Sequence, residues 1–278
     1  MKNTLIPWTT NANPINYTTE VGQNWMLQGA TGSKQSRLNY NGSADAVLVD
    51  SNVNFENGQV YWEKNAVIEN LIIDGQGSTN ANGIVLENVY NCLIRNVTIK
   101  NFERGIVLRD TGQDYSEYNT IKHVRLENCK IGILFESTTG TGSFAFTNLD
   151  DVGIQLKNDS NAVGIQVGSE NYTTVATPYS AYIKATIWMD SSGGSGMKLI
   201  NGGINGGLVN LHVRGTSGIR YGVDIADANN NNAITGSQSN LAGHPLFNGF
   251  LLSTYGIDTP VHNHSPAYNC DITSVQLP

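Results

Sequence analysis

An internal repeat constrains this chain more than any other feature, because a period of roughly 20 to 50 residues changes what a sequence can fold into. The segments VIENLIID (Val67 to Asp74), CLIRNVTIK (Cys92 to Lys100) and TIKHVRLEN (Thr120 to Asn128) share an apolar alternation broken by one polar residue, Asn70, Asn96 or His123. These breaks stand 26 and 27 residues apart. Each segment is followed by a glycine and two apolar residues flanking a variable one: Gly83-Ile84-Val85-Leu86, Gly105-Ile106-Val107-Leu108 and Gly132-Ile133-Leu134-Phe135. Looser copies follow in Phe144 to Asn148 with Gly164-Ile165-Gln166-Val167, in Tyr182 to Lys184 with Gly196-Met197-Lys198-Leu199, and in Leu208 to Val213 with Gly222-Val223-Asp224-Ile225. Gly249-Phe250-Leu251-Leu252 reads as a further copy, and the tail YNCDITSVQL from Tyr268 matches YNCLIRNVTI from Tyr90. Upstream, Trp25 to Leu27, Arg37 to Tyr40 and Ala46 to Val49 make an earlier coil.

Strands this short, recurring with no helical pattern between them, exclude βαβ units, so each pairs with its counterpart one repeat away. The predicted fold is all-β, a right-handed parallel β-helix of about eight coils and the start of a ninth, with three parallel sheets. With 14% charged residues, 30 Gly and an excess of Asn, Ser and Thr, the composition favours turns over helices. Alternate residues point inward, which places Ile94, Val97, Ile99, Ile106 and Leu108 in the core of one coil. The polar breaks Asn70, Asn96, Asn148 and Asn210, with His123 once, fit the sharp turn between the second and third sheets, where Asn tolerates left-handed backbone and bonds its stacked neighbours. The solenoid is expected over residues 25–252, with 1–24 as an N-terminal cap or linker and 253–278 as a C-terminal extension and partial last coil.

The stretches NWMLQGATGSKQSRLNYNGSADAVLV (Asn24 to Val49), IENLIIDGQG (Ile68 to Gly77) and NCLIRNVTIKNFERGIVLRD (Asn91 to Asp110) resemble the pectate-lyase-like superfamily of β-helix proteins, particularly its tail-spike branch on bacterial viruses. The likeness covers about four-fifths of the chain. It implies a polysaccharide or cell-surface glycan as partner, a homotrimer, and a virion or extracellular surface as location. The superfamily holds lyases, hydrolases, epimerases and proteins without catalysis, so the resemblance leaves open whether the chain is an enzyme. The GAKGDG-type strand and capping helix that usually open tail-spike solenoids are absent, so residues 1–24 are expected to cap differently, or the chain to be a fragment.

A net charge of −7 and a pI near 5.1 give no basic patch to track phosphates or anionic lipid, so neither nucleic acid nor a membrane is an expected partner. The N-terminus lacks the apolar core of a signal peptide, and no stretch has the length of a membrane span. Cys92, Cys129 and Cys270 are too few and too far apart for a disulfide framework or zinc site, and are expected as free, mostly buried thiols. The Asn-x-Ser/Thr matches are what so Asn-rich a chain produces by chance. No cofactor or metal is expected; His262 and His264 have a metal-compatible spacing without an evident third ligand.

The candidate site residues lie on the outward positions. Up the stack of Gly-Ile-x-Leu strands, x is Leu48, Val85, Val107, Leu134, Gln166, Lys198, Asp224 and Leu251. Four apolar side chains in successive coils, about 4.8 Å apart, form a dry stripe where a calcium-dependent pectate lyase would need carboxylates. Two accounts of the stripe stand open: a subunit interface, and cover by the chain's own insertions at residues 51–65 or 109–118. Asp150 and Asp151 are the catalytic candidates, as paired carboxylates of the polygalacturonase type. In place of the accompanying Gly-His-Gly and Arg-x-Lys stand only Gly243-His244-Pro245 and a lone Arg220, and two solvated turn aspartates are the alternative. Arg104, Arg109, Asp110, Asp114, Lys122 and Arg125, near Glu117 and His123, would grip a uronate or assist proton transfer, unless they form a charged loop. With Lys198 and Asp224 they make up the substrate-binding candidates. Tyr115, Tyr118, Tyr172, Tyr179 and Trp188 would stack on sugar faces or pack in caps. Three functions compete: a glycan-recognising tail-spike-like solenoid that also depolymerises its ligand or does not, a non-catalytic structural or adhesive solenoid, and a secreted hydrolase or lyase.

Overall fold

A strand of three to six residues cannot satisfy its backbone alone, and here each finds its partner in the coil above and the coil below. A computed structural model describes residues 2–6, 8–11, 15–18, 25–29, 36–50, 65–76, 78, 80–112, 116–139, 141–172, 174–189, 194–200, 203–204, 207–225, 250–263 and 272–276. The first coil comprises β1 (Lys2–Ile6), β2 (Trp8–Asn11) and β3 (Ile15–Thr18), and the second β4 (Trp25–Gly29), β5 (Ser36–Tyr40) and β6 (Asp45–Asp50). The third is β7 (Val67–Glu69), β8 (Leu71–Asp74) and β9 (Asn82–Glu87), and the fourth β10 (Leu93–Arg95), β11 (Thr98–Lys100) and β12 (Arg104–Asp110). From there two strands run together around a corner. The coils become β13 (Thr120–Cys129) with β14 (Ile131–Ser137), β16 (Asn148–Leu156) with β17 (Val163–Val167), and β19 (Tyr182–Met189) with β20 (Ser195–Leu199). Beside them β15 (Thr141–Ser143) pairs with β18 (Val175–Thr177) in a two-stranded sheet. The single strands β21 (Leu208–Ile225) and β22 (Phe250–Asn263) complete two more coils, and β23 (Ile272–Gln276) starts another.

All pairings between coils are parallel, and they build the three sheets of a right-handed parallel β-helix. The second sheet runs through β1, β4, β7, β10 and the starts of β13, β16, β19, β21 and β22. The third follows through β2, β5, β8, β11 and the later parts of the same long strands. The first holds β3, β6, β9, β12, β14, β17, β20 and the ends of β21 and β22. No helix among the described residues is long and apolar enough to cross a membrane.

In-register stacking turns each inward position into a column. Ile68, Ile94, Ile121, Leu149, Ile183 and Val209 form one along the second sheet, all at most 1% exposed. Ile84, Ile106, Ile133, Ile165, Met197 and Val223 form another along the first, all fully buried. Each such side chain contributes about 1.5–3 kcal/mol by leaving water. Cys92 and Cys129 are buried in this core, and burial pushes the Cys129 thiol up to about 12.

The corners are set by residues that accept a left-handed backbone. Asn70, Asn96, His123 and Asp151 hold φ of 59°, 54°, 51° and 56° at the turn between the second and third sheets. Asn96 Nδ2 donates to Asn70 Oδ1 at 3.2 Å. Asn148, predicted on this ladder, instead pairs with Thr120 inside the second sheet, and Asn210 pairs with Lys184. The register of β16 with β13 sets Asp151, three residues on, opposite His123 at the corner, and β19 passes that corner with one residue fewer. A second ladder uses Asn101 and Asn128, with Asn128 Nδ2 donating to Asn101 Oδ1 at 2.7 Å. A third begins with Asn65 and Asn91 and passes to Tyr118 and Phe146, at φ of 54° and 55°. Bulky side chains rarely sit there. Their strain is offset by ring contacts from Tyr90 to Tyr118 and from Tyr118 to Phe146, with centroids 4.7 and 4.6 Å apart.

Both termini of the described chain continue the solenoid. Residues 2–18, set apart in sequence as a cap or linker, pair as a full coil with β4, β5 and β6. The segment after Leu252, expected as an extension, stays within β22 and pairs with β21 as far as Asn263. Leu251 pairs with Asn210 in the second sheet and therefore leaves the outward stack of the first; His262, opposite Asp224, takes that place.

The repeated glycines explain how closely the coils stack. A Cβ built on Gly83, Gly105, Gly132, Gly164 or Gly196 would lie 2.5–2.7 Å from the carbonyl oxygen of the corresponding glycine one coil on. At Gly132 it would also meet Ile154 Cγ2 at 2.8 Å. Gly132→Ala is therefore expected to lower the unfolding free energy by about 1–3 kcal/mol, read as a shifted urea midpoint. An unchanged midpoint would show that the coils can part there without cost.

Candidate functional site

The outward positions of the first sheet divide as the sequence pattern suggests. Leu48, Val85, Val107, Leu134, Gln166, Lys198 and Asp224 stand in one register column, continued by His262. Val85 and Val107 are fully buried and Leu134 is 1% exposed, with Leu48 and Ile131 packed against them. The apolar stripe is thus covered within the single chain and needs no second subunit to leave water. Of the insertions proposed as cover, residues 51–64 and 113–115 lie outside the described residues.

Where the column turns polar, the surface opens into a groove of about 350 Å³. Lys198 Nζ donates to Glu170 Oε1 at 2.8 Å. One coil on, Asp224 Oδ1 lies 3.0 Å from His262 Nδ1, and the His262 ring stacks on Tyr221 with centroids 4.0 Å apart and planes 7° from parallel. A carboxylate holding Nδ1–H orients the ring and makes Nε2 its basic atom. Gln166 Nε2 donates to Gly168 O at 2.9 Å on the other side of Lys198. Arg104 and Lys130 line the far end. Lys130 Nζ lies 3.1 Å from Glu103 Oε1. Arg104 Nη1 donates to Asn82 at 3.3 Å, while its buried Nε has no hydrogen-bond partner.

Of the residues predicted as substrate-binding, the fold brings only Arg104, Lys198 and Asp224 into this groove. Arg109 sits on the flank of the covered stripe, its Nε 2.7 Å from Glu136 and its Nη1 3.0 Å from Glu87 and 4.0 Å from Asp45. Those carboxylates hold it firmly charged against the cost of burial, and burial raises Glu87 above the ordinary carboxylate range. Asp110 is buried beside β15 and accepts from Gly112 N at 2.6 Å. Lys122 and Asp150 are neighbours in register on the second sheet. Asp151, at the left-handed corner, is well exposed, 3.9 Å from His123 Nε2. The turn lifts the objection that adjacent strand residues face opposite ways, yet it leaves the pair away from the groove. Arg125 lies on the third sheet, and Asp114, Tyr115, His244 and His264 fall outside the described residues. Sequence reasoning missed Tyr221 and the pairing of His262 with Asp224, because the segment 226–249 separates them and hides the repeat.

With this geometry the chain can be set beside known proteins. A family model described as periplasmic copper-binding protein (NosD) matches residues 8–148, just over half of the 278 residues. The chain belongs to the NosD family. Among solved structures, the A-module of Azotobacter vinelandii mannuronan C-5 epimerase AlgE6 is similar at 13% identity and a TM-score of 0.39, over 100% of this chain and 91% of that one. The A-module of AlgE4 from the same organism gives 10% identity and a TM-score of 0.27, over 100% and 89%. No curated protein matches the sequence. NosD-family membership accords with the parallel β-helix and leaves the chemistry of the groove, most of which lies beyond residue 148, to be argued from its own residues.

Burial raises Asp110 from 3.8 to about 6, opposed by its backbone hydrogen bonds. A carboxyl whose folded value lies above its unfolded one holds its proton more tightly in the folded chain, so this contribution to stability falls as pH rises from about 4 to 6. Asp110→Asn keeps an acceptor for Gly112 and removes the titration. Relative to the native chain, the variant should gain up to about 3 kcal/mol between those pH values, measured by urea unfolding at each pH; parallel curves would refute the assignment.

Proposed function

We propose that the chain is a polysaccharide-recognising β-helix whose glycan site is the groove of the first sheet, and that its ligand is a polyuronate. The observation that carries this reading is the column Gln166, Lys198, Asp224, His262, which sets a cation and, two coils on, an imidazole oriented by the intervening Asp224 along one rigid sheet. In a chain of net charge −7, Lys198, Lys130 and Arg104 bring three cations to the groove, and a carboxylated sugar would compete with Glu170 for Lys198 and with Glu103 for Lys130. Lys198 meets the uronate carboxylate, and Tyr221 and Gln166 face the hydroxyls. The catalytic half of the proposal follows from the same geometry. With the carboxylate neutralised, His262 Nε2 takes the proton from the adjoining ring carbon and the electron pair passes into the carboxylate. Either that carbon is reprotonated on its opposite face by Tyr221 or water while His262 keeps the abstracted proton, or the bond to the neighbouring glycosidic oxygen breaks and that oxygen leaves with a proton from Tyr221 or water.

The finer form of the reading, a homotrimeric tail-spike-like appendage on a virion or extracellular surface, rests on the sequence likeness alone. Sedimentation equilibrium decides it: three times the 30.0 kDa chain mass supports the trimer, and the chain mass alone removes it. The family description names copper and the periplasm. Copper prefers imidazole and soft sulfur ligands, and the matched segment contains one histidine, His123, two cysteines and one methionine. Both of those thiols are buried, and among the described residues no three His, Cys, Asp or Glu side chains come together to hold a metal. The described residues do not fit a copper site, and no step is routed through one.

Lys198→Gln should weaken binding of oligogalacturonate or oligomannuronate about tenfold, about 1.4 kcal/mol, in a calorimetric titration. His262→Gln should retain binding and lose any unsaturated or epimerised product. Absence of affinity for either polyuronate would remove the reading. Activity lost in Asp150→Asn or Asp151→Asn but kept in His262→Gln would move the chemistry to the corner of the second sheet.

A further inference from the structure

We infer a second saccharide site on the outer face of the third sheet, one that takes an uncharged sugar ring against Trp188. Two outward columns define this face. One runs Thr98, Arg125, Gly153, Thr186, His212, and the other Lys100, Glu127, Gln155, Trp188, Arg214, Tyr255. In the first column Gly153 stands where every neighbour carries a side chain. The glycines of the first sheet are required because a Cβ would strike the next coil. At Gly153 a Cβ would meet nothing within 4 Å, and its φ is not in the left-handed region. Neither backbone conformation nor packing therefore calls for glycine there. Its effect is to leave a notch in the sheet surface.

That notch belongs to a shallow depression of about 620 Å³ walled by β13, β16 and β19, with Trp188 at one side. Trp188 is 45% exposed although Arg214 lies over its ring at 4.9 Å. Arg214 also lies 5.5 Å from the exposed Tyr255, which braces the indole from the following coils. An exposed, braced indole beside a side-chain-sized gap suits the apolar face of a pyranose, while Gln155, Thr186 and Arg125 offer hydrogen bonds to its hydroxyls. Around the depression Arg125 faces Glu127 at 3.5 Å, and Arg214 over the indole and Asp151 add one charge of each sign. The rim has no excess of either sign for an ionic ligand, so the ring is a neutral one. This site shares no residue with the first-sheet groove and does not depend on the polyuronate reading.

The test uses the full chain and neutral probes: cellohexaose, maltohexaose and mannohexaose, titrated by calorimetry. At least one should bind, and Trp188→Ala and Gly153→Val should each weaken that binding tenfold or more, with partial recovery in Trp188→Phe. Gly153→Val should melt at or above the native temperature, because the added side chain enters open space in a strand, and it should retain any polyuronate binding by the groove. No binding of any of the three probes, unchanged binding in folded Gly153→Val, or a lowered melting temperature for that variant would each overturn the proposal.

Discussion

Successive coils approach so closely along the first sheet that a single methyl group would lie 2.5–2.7 Å from the next backbone oxygen. Everything else in the solenoid is arranged around that spacing. Hydrogen bonds between coils hold the strands at about 4.8 Å, so any residue that recurs once per repeat is placed directly above its predecessor. Inward, this makes continuous isoleucine and leucine columns. At the corners, it makes Asn ladders whose amides bond one another and whose backbones sit in the left-handed region with least strain. Where the ladder passes to Tyr118 and Phe146, stacked rings take over the same task.

The same spacing governs the outer surface. A sheet held in register turns a column of outward residues into a strip of defined chemistry. On the first sheet the strip changes from Val85, Val107 and Leu134, buried under the chain itself, to Gln166, Lys198 and Asp224 in the open groove, with His262 one coil further. Carboxylates and cations in adjacent coils are close enough to pair, and most do. Arg109 is bound among Asp45, Glu87 and Glu136, which makes it a clasp on the flank of the covered stripe. His262 is the case in which pairing with a carboxylate fixes an imidazole, stacked on Tyr221 at the edge of the groove.

Much of the fold was legible because a period needs no tertiary information. Apolar alternation, the recurring glycine and the Asn breaks identified the strands from Trp25 to Ile225. The match of the tail to Tyr90 to Ile99 placed Ile272 in the same column as Ile94. Reading failed where the repeat changes length. Asp151, opposite His123, holds the corner position read for Asn148, and the segment 226–249 led Gly249 to Leu252 to be read as a first-sheet strand, although Phe250 and Leu251 lie in the second.

The sequence by itself determined the solenoid, its inward columns and the outward order from Leu48 to Asp224, because each follows from alternation repeated at a constant period. The tertiary structure alone decided that the apolar stripe is covered, that Arg109 and Asp110 are held away from the groove, and that His262 closes on Asp224. Those outcomes depend on which residues many positions apart share a face and what lies over them. A one-dimensional pattern records which residues recur, and only the folded coil shows what stands beside them.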